Sequence, residues 1–364
     1  MFVGIDLGTS AVKAVLLDRD GALRASVLAP LSVSQPYPRW SEQDPEQWWR
    51  ATLNAMDQLL LQVVQLDIAP AAIEAIGLSG QMHGATLLDA RGQVLRPAIL
   101  WNDGRSDAEC AELESLTDFR AITGNLAMPG FTAPKLLWLR KHEPEVFARI
   151  DKVLLPKDYL RYRLSGDFAT DPSDAAGTLW LDVARRAWSP TMLAACGLDN
   201  EQMPTVVEGP RVTGHLHRDL ARRWSMGEVA IAAGGGDNAA GAVGMGVVRP
   251  GQAMLSLGTS GVFFAVSDGF HARPQQAVHS FCHALPDTWH LMSVMLNAAS
   301  CLDVAARWGG YADVGSMLEA AAVAPMHAQR PWFLPYLSGE RTPHNDVHAT
   351  GQFYGLTPGT RRED

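Results

Sequence analysis

Gly4-Ile5-Asp6-Leu7-Gly8-Thr9-Ser10-Ala11-Val12 decides the fold, because residues 254–262 repeat it as Met254-Leu255-Ser256-Leu257-Gly258-Thr259-Ser260-Gly261-Val262. In both stretches one apolar run enters Leu-Gly-Thr-Ser and another leaves it, the pattern of two strands joined by a turn. A unit repeated at this distance implies two duplicated lobes around a cleft, one starting near Met1 and the other near Pro250. The copies differ where Asp6 of the first becomes Ser256 of the second. Only the first lobe therefore offers a carboxylate to a metal ion.

Outward from the first copy, Phe2 to Leu7, Ala11 to Leu17 and Ala22 to Val33 read as an antiparallel meander, with a turn at Asp18-Arg19-Asp20-Gly21. Asp44-Pro45-Glu46-Gln47 starts a helix: Asp44 caps it, Pro45 takes the first position and Gln47 closes a capping box. Trp48, Trp49, Leu53, Met56, Leu60 and Val63 recur at helical spacing as its core face. Ile73 to Leu78 returns as a buried strand that ends at Ser79-Gly80-Gln81-Met82-His83-Gly84. Three antiparallel strands, a helix and a further strand make a ribonuclease-H-like α/β unit. Trp101 to Met203 reads as insertions on the first lobe, and the Gly/Ala run Ile231 to Val248 lies between the lobes. The expected domains are 1–248 and 249–364.

With 364 residues the chain is long enough for two cores, and 47% hydrophobic against 19% charged residues excludes a disordered or fibrous chain. Lys and Arg number 30 against 39 Asp and Glu, a net charge of -9, so no basic field exists for nucleic acid or an anionic membrane. A bound polyanion must be held by backbone N–H groups and a metal ion. Cys110, Cys196, Cys282 and Cys301 have no CxxC spacing and read as free thiols. Met1 to Leu7 has no basic flank and no stretch approaches the length of a membrane span, so a cytoplasmic location is expected.

A Gly-Thr-Ser turn can aim N–H groups and hydroxyls at phosphate oxygens. One copy is equally a plain hairpin; the matched pair favours a clamp on nucleotide phosphates. Lys13 either reaches those phosphates or is simply solvated. Asp6, costly to bury in an apolar strand, is a Mg²⁺ ligand or an acceptor for turn N–H groups. Asp237 follows Gly234-Gly235-Gly236. It reads as a helix N-cap or as a general base for a hydroxyl that attacks phosphorus, with the glycines admitting substrate close to the backbone. Met82 and His83 stand at a strand end, where α/β sheets bind ligands. Asn102-Asp103-Gly104-Arg105 supplies polar contacts or merely caps a turn. His279, His283, His290, His344 and His348 lack a metal-binding spacing.

Ile5 to Ser10, Ser79 to Gly84, Trp101 to Arg105, Asp237-Asn238-Ala239-Ala240-Gly241 and Ser256 to Gly261 together resemble the FGGY carbohydrate kinases. Gly130-Phe131-Thr132-Ala133-Pro134-Lys135-Leu136-Leu137-Trp138 is similar to that family's first signature. The resemblance implies an actin-like ATPase fold and ATP-dependent phosphorylation of D-xylulose to D-xylulose 5-phosphate, a step of xylose catabolism. By position it implies Asp237 as catalytic base, Asp6 acting through Mg²⁺, and Met82, His83 and Asn238 with Asp237 at the sugar. Gly8, Thr9 and Ser10, with Gly258 and Thr259, match the two phosphate loops. Glycerol kinases carry Arg and Glu where this chain has Met82 and His83, which points to the xylulose-phosphorylating branch. The second signature starts at Gly351-Gln352-Phe353-Tyr354-Gly355-Leu356. The second lobe is therefore expected to be incomplete, lacking an adenosine-binding loop and exposing core surface. A homodimer stays open. The alternatives are another sugar or polyol kinase of the family (ribulose, gluconate, glycerol), an actin-like nucleotide-dependent interaction protein, and a sugar-binding lobe without catalysis.

Overall fold

The computed structural model describes residues 1–364 apart from 117, 325–329 and 347. Its first half opens with β1 (Phe2–Leu7), β2 (Ala11–Leu17), β3 (Leu23–Pro30), α1 (Pro45–Gln65) and β4 (Ala75–Gly80). β1, β2 and β3 form the expected antiparallel meander, and β4 joins β1 in parallel on the other side. Further along come α2 (Pro156–Ser165), α3 (Pro172–Ala175), β5 (Val212–His215), β6 (Ala230–Ala232), β7 (Gly235–Gly236) and α4 (Asp237–Gly244). The resulting sheet runs β5-β6-β4-β1-β2-β3, and β7 also pairs with β4.

Alternation decides which face does what. Val3, Ile5, Leu7, Ile76 and Leu78 are buried in one cluster with Trp48, Met56, Leu59 and Val63 of α1, each aliphatic side chain contributing about 1.5–3 kcal/mol. The opposite face carries Gly4, Asp6, Gly77, Ser79 and Gly235 in matching register. A face of glycines and short polar residues leaves space at its end. Asp44 caps α1 by accepting from the Glu46 N–H at 3.0 Å. Gln47 does not close the expected capping box; its amide bonds to Ser32, because the chain leaving β3 passes beside the first turn of the helix.

The second half holds β8 (Ala253–Leu257), β9 (Gly261–Ser267), β10 (His279–Cys282), β11 (Trp289–Met295) and α5 (Ser300–Trp308), in sheet order β8-β9-β11-β10. β8 and β9 repeat β1 and β2 as an antiparallel pair around the second Gly-Thr-Ser turn. Whereas β1 has a neighbour on each side, β8 is an edge strand, and its Leu255 and Leu257 are 61% and 65% exposed. The segment read as insertions on the first lobe does more than that. Phe131, Leu136, Trp138 and Trp180 share a buried cluster with Phe281, Cys282 and Met292, so it packs against the second sheet as well.

Candidate active site

β4 sets the spacing of the two carboxylates singled out above. Ser79 lies opposite Asp6 of β1, and Gly235 of β7 lies opposite Ser79; Asp237 follows at the first turn of α4. Two strand spacings of about 4.8 Å each therefore separate the strand of Asp6 from the strand ending at Asp237. The charges feel each other across that gap, since Asp6 helps to raise the Asp237 pKa.

Asp237 is exposed to solvent at the first turn of α4. Desolvation is the main reason that its pKa is pushed up to about 6; the Asn238 N–H groups oppose it. Asn238 grips the carboxylate through its backbone N–H at 2.7 Å and its side-chain Nδ2 at 2.9 Å, both on Oδ1. Oδ2 is left for another partner. A carboxylate poised near neutrality with one oxygen unclaimed suits a general base.

The glycines before it are packed against the protein. Gly234 has φ +79°, and a Cβ there would come within 2.0 Å of the Leu78 carbonyl oxygen; a Cβ on Gly236 would meet Met82 Cγ and Sδ at 3.0 Å. Close approach of β4 and of Met82 requires glycine at 234 and 236.

Asp6 is half-buried opposite Lys13 and Ser79. Burial raises its pKa against the opposing pull of the Ser79 hydroxyl and Lys13. Lys13 is exposed, so its cross-strand place beside Asp6 leaves its amine in solvent. Among the described residues no group of three or more His, Cys, Asp or Glu side chains gathers to hold a metal. Mg²⁺ asks for less, one or two carboxylates with substrate phosphates, and Asp6 on its open sheet face fits that requirement.

The phosphate loops differ in part from their expected chemistry. The Gly8 N–H is committed to the Ala11 carbonyl at 3.0 Å and the Gly258 N–H to the Ser260 carbonyl at 3.0 Å. Thr9 Oγ1 donates to Gln81 Oε1 at 2.9 Å and accepts from Trp101 Nε1 at 3.0 Å. The hydroxyl fastens the loop to the rest of the site. Among the described residues, the N–H groups of Thr9 and Ser10, and those of Thr259 and Ser260 in the second loop, stay uncommitted. The second loop also rests on the start of α5, where Ser300 Oγ and the Ala298 N–H donate to the Thr259 carbonyl.

His83 occupies the left-handed region at φ 69°, costly for a side chain of its kind. Its carbonyl is pinned by Lys135 Nζ at 2.9 Å and Thr132 Oγ1 at 3.1 Å, and its Nδ1 meets the Gly177 carbonyl at 2.9 Å. A carbonyl only accepts, so Nδ1 carries the proton and Nε2 is left as an acceptor. Burial pushes the His83 pKa down to about 3, keeping the ring neutral. Lys135 and Thr132 fall inside the Gly130 to Trp138 motif, yet their hold on His83 had no local signal in sequence. Within Asn102 to Arg105, two residues are structural: Asp103 accepts from the Ser41 N–H at 2.6 Å, and Arg105 pairs with Glu42 at 2.7 Å and lies over the Trp40 ring.

Residues 1–244 match the N-terminal domain, and residues 253–364 the C-terminal domain, of the FGGY family of carbohydrate kinases. The chain belongs to that family. Among its FGGY relatives, the xylulose kinase of Escherichia coli strain K12 is 61% identical over 98% of this chain and 73% of that protein. A crystal structure described as a xyloylose kinase from Brucella ovis superposes with TM-score 0.95 at 51% identity, covering 99% of this chain and 74% of the other. Plasmodium falciparum glycerol kinase with ADP shares the fold, with TM-score 0.90 at 20% identity over 100% of this chain and 74% of that chain. The fold is thus the actin-like ATPase fold that the family resemblance implied, and FGGY membership makes the chain a carbohydrate kinase.

Proposed function

We propose that this FGGY kinase transfers the γ-phosphoryl group of ATP to the C5 hydroxyl of D-xylulose, giving D-xylulose 5-phosphate and ADP. The observation that carries the reading is Asp237, held by Asn238 on one oxygen and set across the sheet end from Asp6. Asp237 accepts the hydroxyl proton as that oxygen bonds to phosphorus and the bond to the ADP oxygen breaks. Asn238 aims the carboxylate, while Met82 and His83 position the sugar. The free N–H groups of Thr9, Ser10, Thr259 and Ser260, with Gly8 and Gly258 shaping their turns and Lys13 beside the first, receive the phosphates. Asp6 would hold Mg²⁺ together with the nucleotide, and the ion supplies charge neutralisation on the phosphoryl oxygens.

The first functional unit is assigned to residues 1–248 and the second to 249–364. A cytoplasmic location is supported by the four unpaired cysteines; among the described residues no helix is long and apolar enough to cross a membrane.

An ADP-release assay across D-xylulose, D-ribulose, glycerol and D-gluconate tests the substrate, with the highest kcat/KM expected for D-xylulose. The same assay reads the base. Asp237 works deprotonated, so activity is retained above its pKa of about 6 and log(kcat/KM) drops by about one per pH unit below it. A profile flat from pH 5 to pH 8 would remove Asp237 from that role.

A further inference from the structure

A small cavity of about 60 Å³ lies against His83, between residues of both halves: Trp101 and Phe131 from the first, and His279, Phe281 and Arg341 from the second. Among the described residues, no hydrogen bond or ion pair engages the Arg341 guanidinium, although burial presses its pKa downward. Arg341 is half-buried at the cavity wall, and its guanidinium offers five donors and no acceptor to whatever enters. We infer that this cavity is the subsite for the non-reacting end of the ketose, with Arg341 as its specificity-determining donor. The inference rests on the reading of Asp237 and His83 as the sugar site.

Size, charge and polarity select the ligand class. A water needs about 10–15 Å³ of such space, so the cavity has room for several and can take the polar end of a sugar. Glu340, 2% exposed, offsets the guanidinium charge; its Oε1 accepts from the N–H groups of Leu296 at 3.0 Å and Arg341 at 2.7 Å. A balanced pair suits an uncharged polyhydroxy ligand better than an acid sugar. The other polar walls are acceptors. His279 Nδ1 faces Asn125 Oδ1 at 3.3 Å, and that oxygen accepts from the Ser280 N–H, so His279 donates there and keeps Nε2 as an acceptor, as His83 does. Donors on one side and acceptors on the other match the C1 hydroxyl and C2 carbonyl of the sugar. Met82 joins this cavity to the base, because it packs on Gly236, the residue before Asp237.

The test compares D-xylulose with 1-deoxy-D-xylulose, which lacks the C1 hydroxyl, in the parent chain, R341M and R341K. The parent should show a lower KM for D-xylulose. R341M should raise that KM about 10- to 100-fold, bring the two sugars together, and leave the KM for ATP unchanged; R341K, which keeps a donor, should restore part of the discrimination. Equal KM values for both sugars in the parent, an unchanged KM in R341M, or an equal rise for both sugars overturns the inference. Asp237→Asn separates it from the underlying reading: full turnover in that variant sinks the base, while the Arg341 comparison still reports on the subsite.

Discussion

Asp237→Asn is expected to lower kcat for D-xylulose by about 10²–10⁴-fold, the usual worth of a positioned general base, without unfolding the protein. Asparagine is nearly the same size and can still accept from the Asn238 N–H groups, so α4 keeps its first turn. The stability change has a definite sign. Folding raises this carboxyl from its ordinary 3.8 to about 6, so the folded state binds the proton more tightly than the unfolded chain does. The ionised form then works against folding at every pH above that range, and the penalty vanishes below 3.8. The asparagine variant should therefore melt at or slightly above the parent temperature at pH 7 and level with it near pH 3.8. A variant that melts well below the parent at pH 7, or that turns over D-xylulose at the parent rate, contradicts the assignment.

Lys157→Met is expected to cost about 3–5 kcal/mol of stability, as breaking a buried ion pair does. Lys157 Nζ stands 2.5 Å from Asp158, 2.8 Å from Asp171 and 3.2 Å from Asp174, and all four side chains are fully buried, as is Arg161 at 3.7 Å from Asp158. Burial, with Asp158 and Asp171 adding to it, raises the Asp174 pKa well above the usual range despite Lys157. Lys157 and Arg161 are the cations among these three carboxyl groups, and Asp174 is the carboxyl whose burial most favours its protonated form. Removing the amine leaves an uncompensated buried carboxylate, which must take up a proton instead. The loss in urea midpoint should consequently shrink at pH 5 relative to pH 8. A variant as stable as the parent at pH 8 would show that the cluster is not electrostatically coupled. The effect reaches the site, because Asp171 accepts from the Ser173 hydroxyl and Ser173 Oγ accepts from the Gly236 N–H at 3.1 Å.

Features encoded within a few residues were legible before any coordinates. The repeated Leu-Gly-Thr-Ser turn, the Asp44-Pro45 helix start and the strand leading to Met82 each carry their own local chemistry, and the structure builds all three. Features that depend on what passes nearby were not. Gln47 turns to Ser32, the Thr9 hydroxyl is taken by Gln81 and Trp101, and Gly234 is dictated by Leu78 on a neighbouring strand. Lys135 and Arg341 lie 52 and 258 positions from His83 in the chain (135 − 83 and 341 − 83). Lys135 reaches the His83 carbonyl through the folding of the first half, and Arg341 shares the cavity with His83 only because the second half packs against the first.

Trp101 touches both ends of this arrangement: its indole N–H donates to the first phosphate loop at Thr9, its ring borders the cavity beside His83, and it is 47% exposed. The protein thereby carries its own optical reporter. Filling either the loop or the cavity changes the polarity around one ring, so the difference in emission between the parent and a Trp101→Phe variant follows nucleotide and sugar on a single unlabelled molecule.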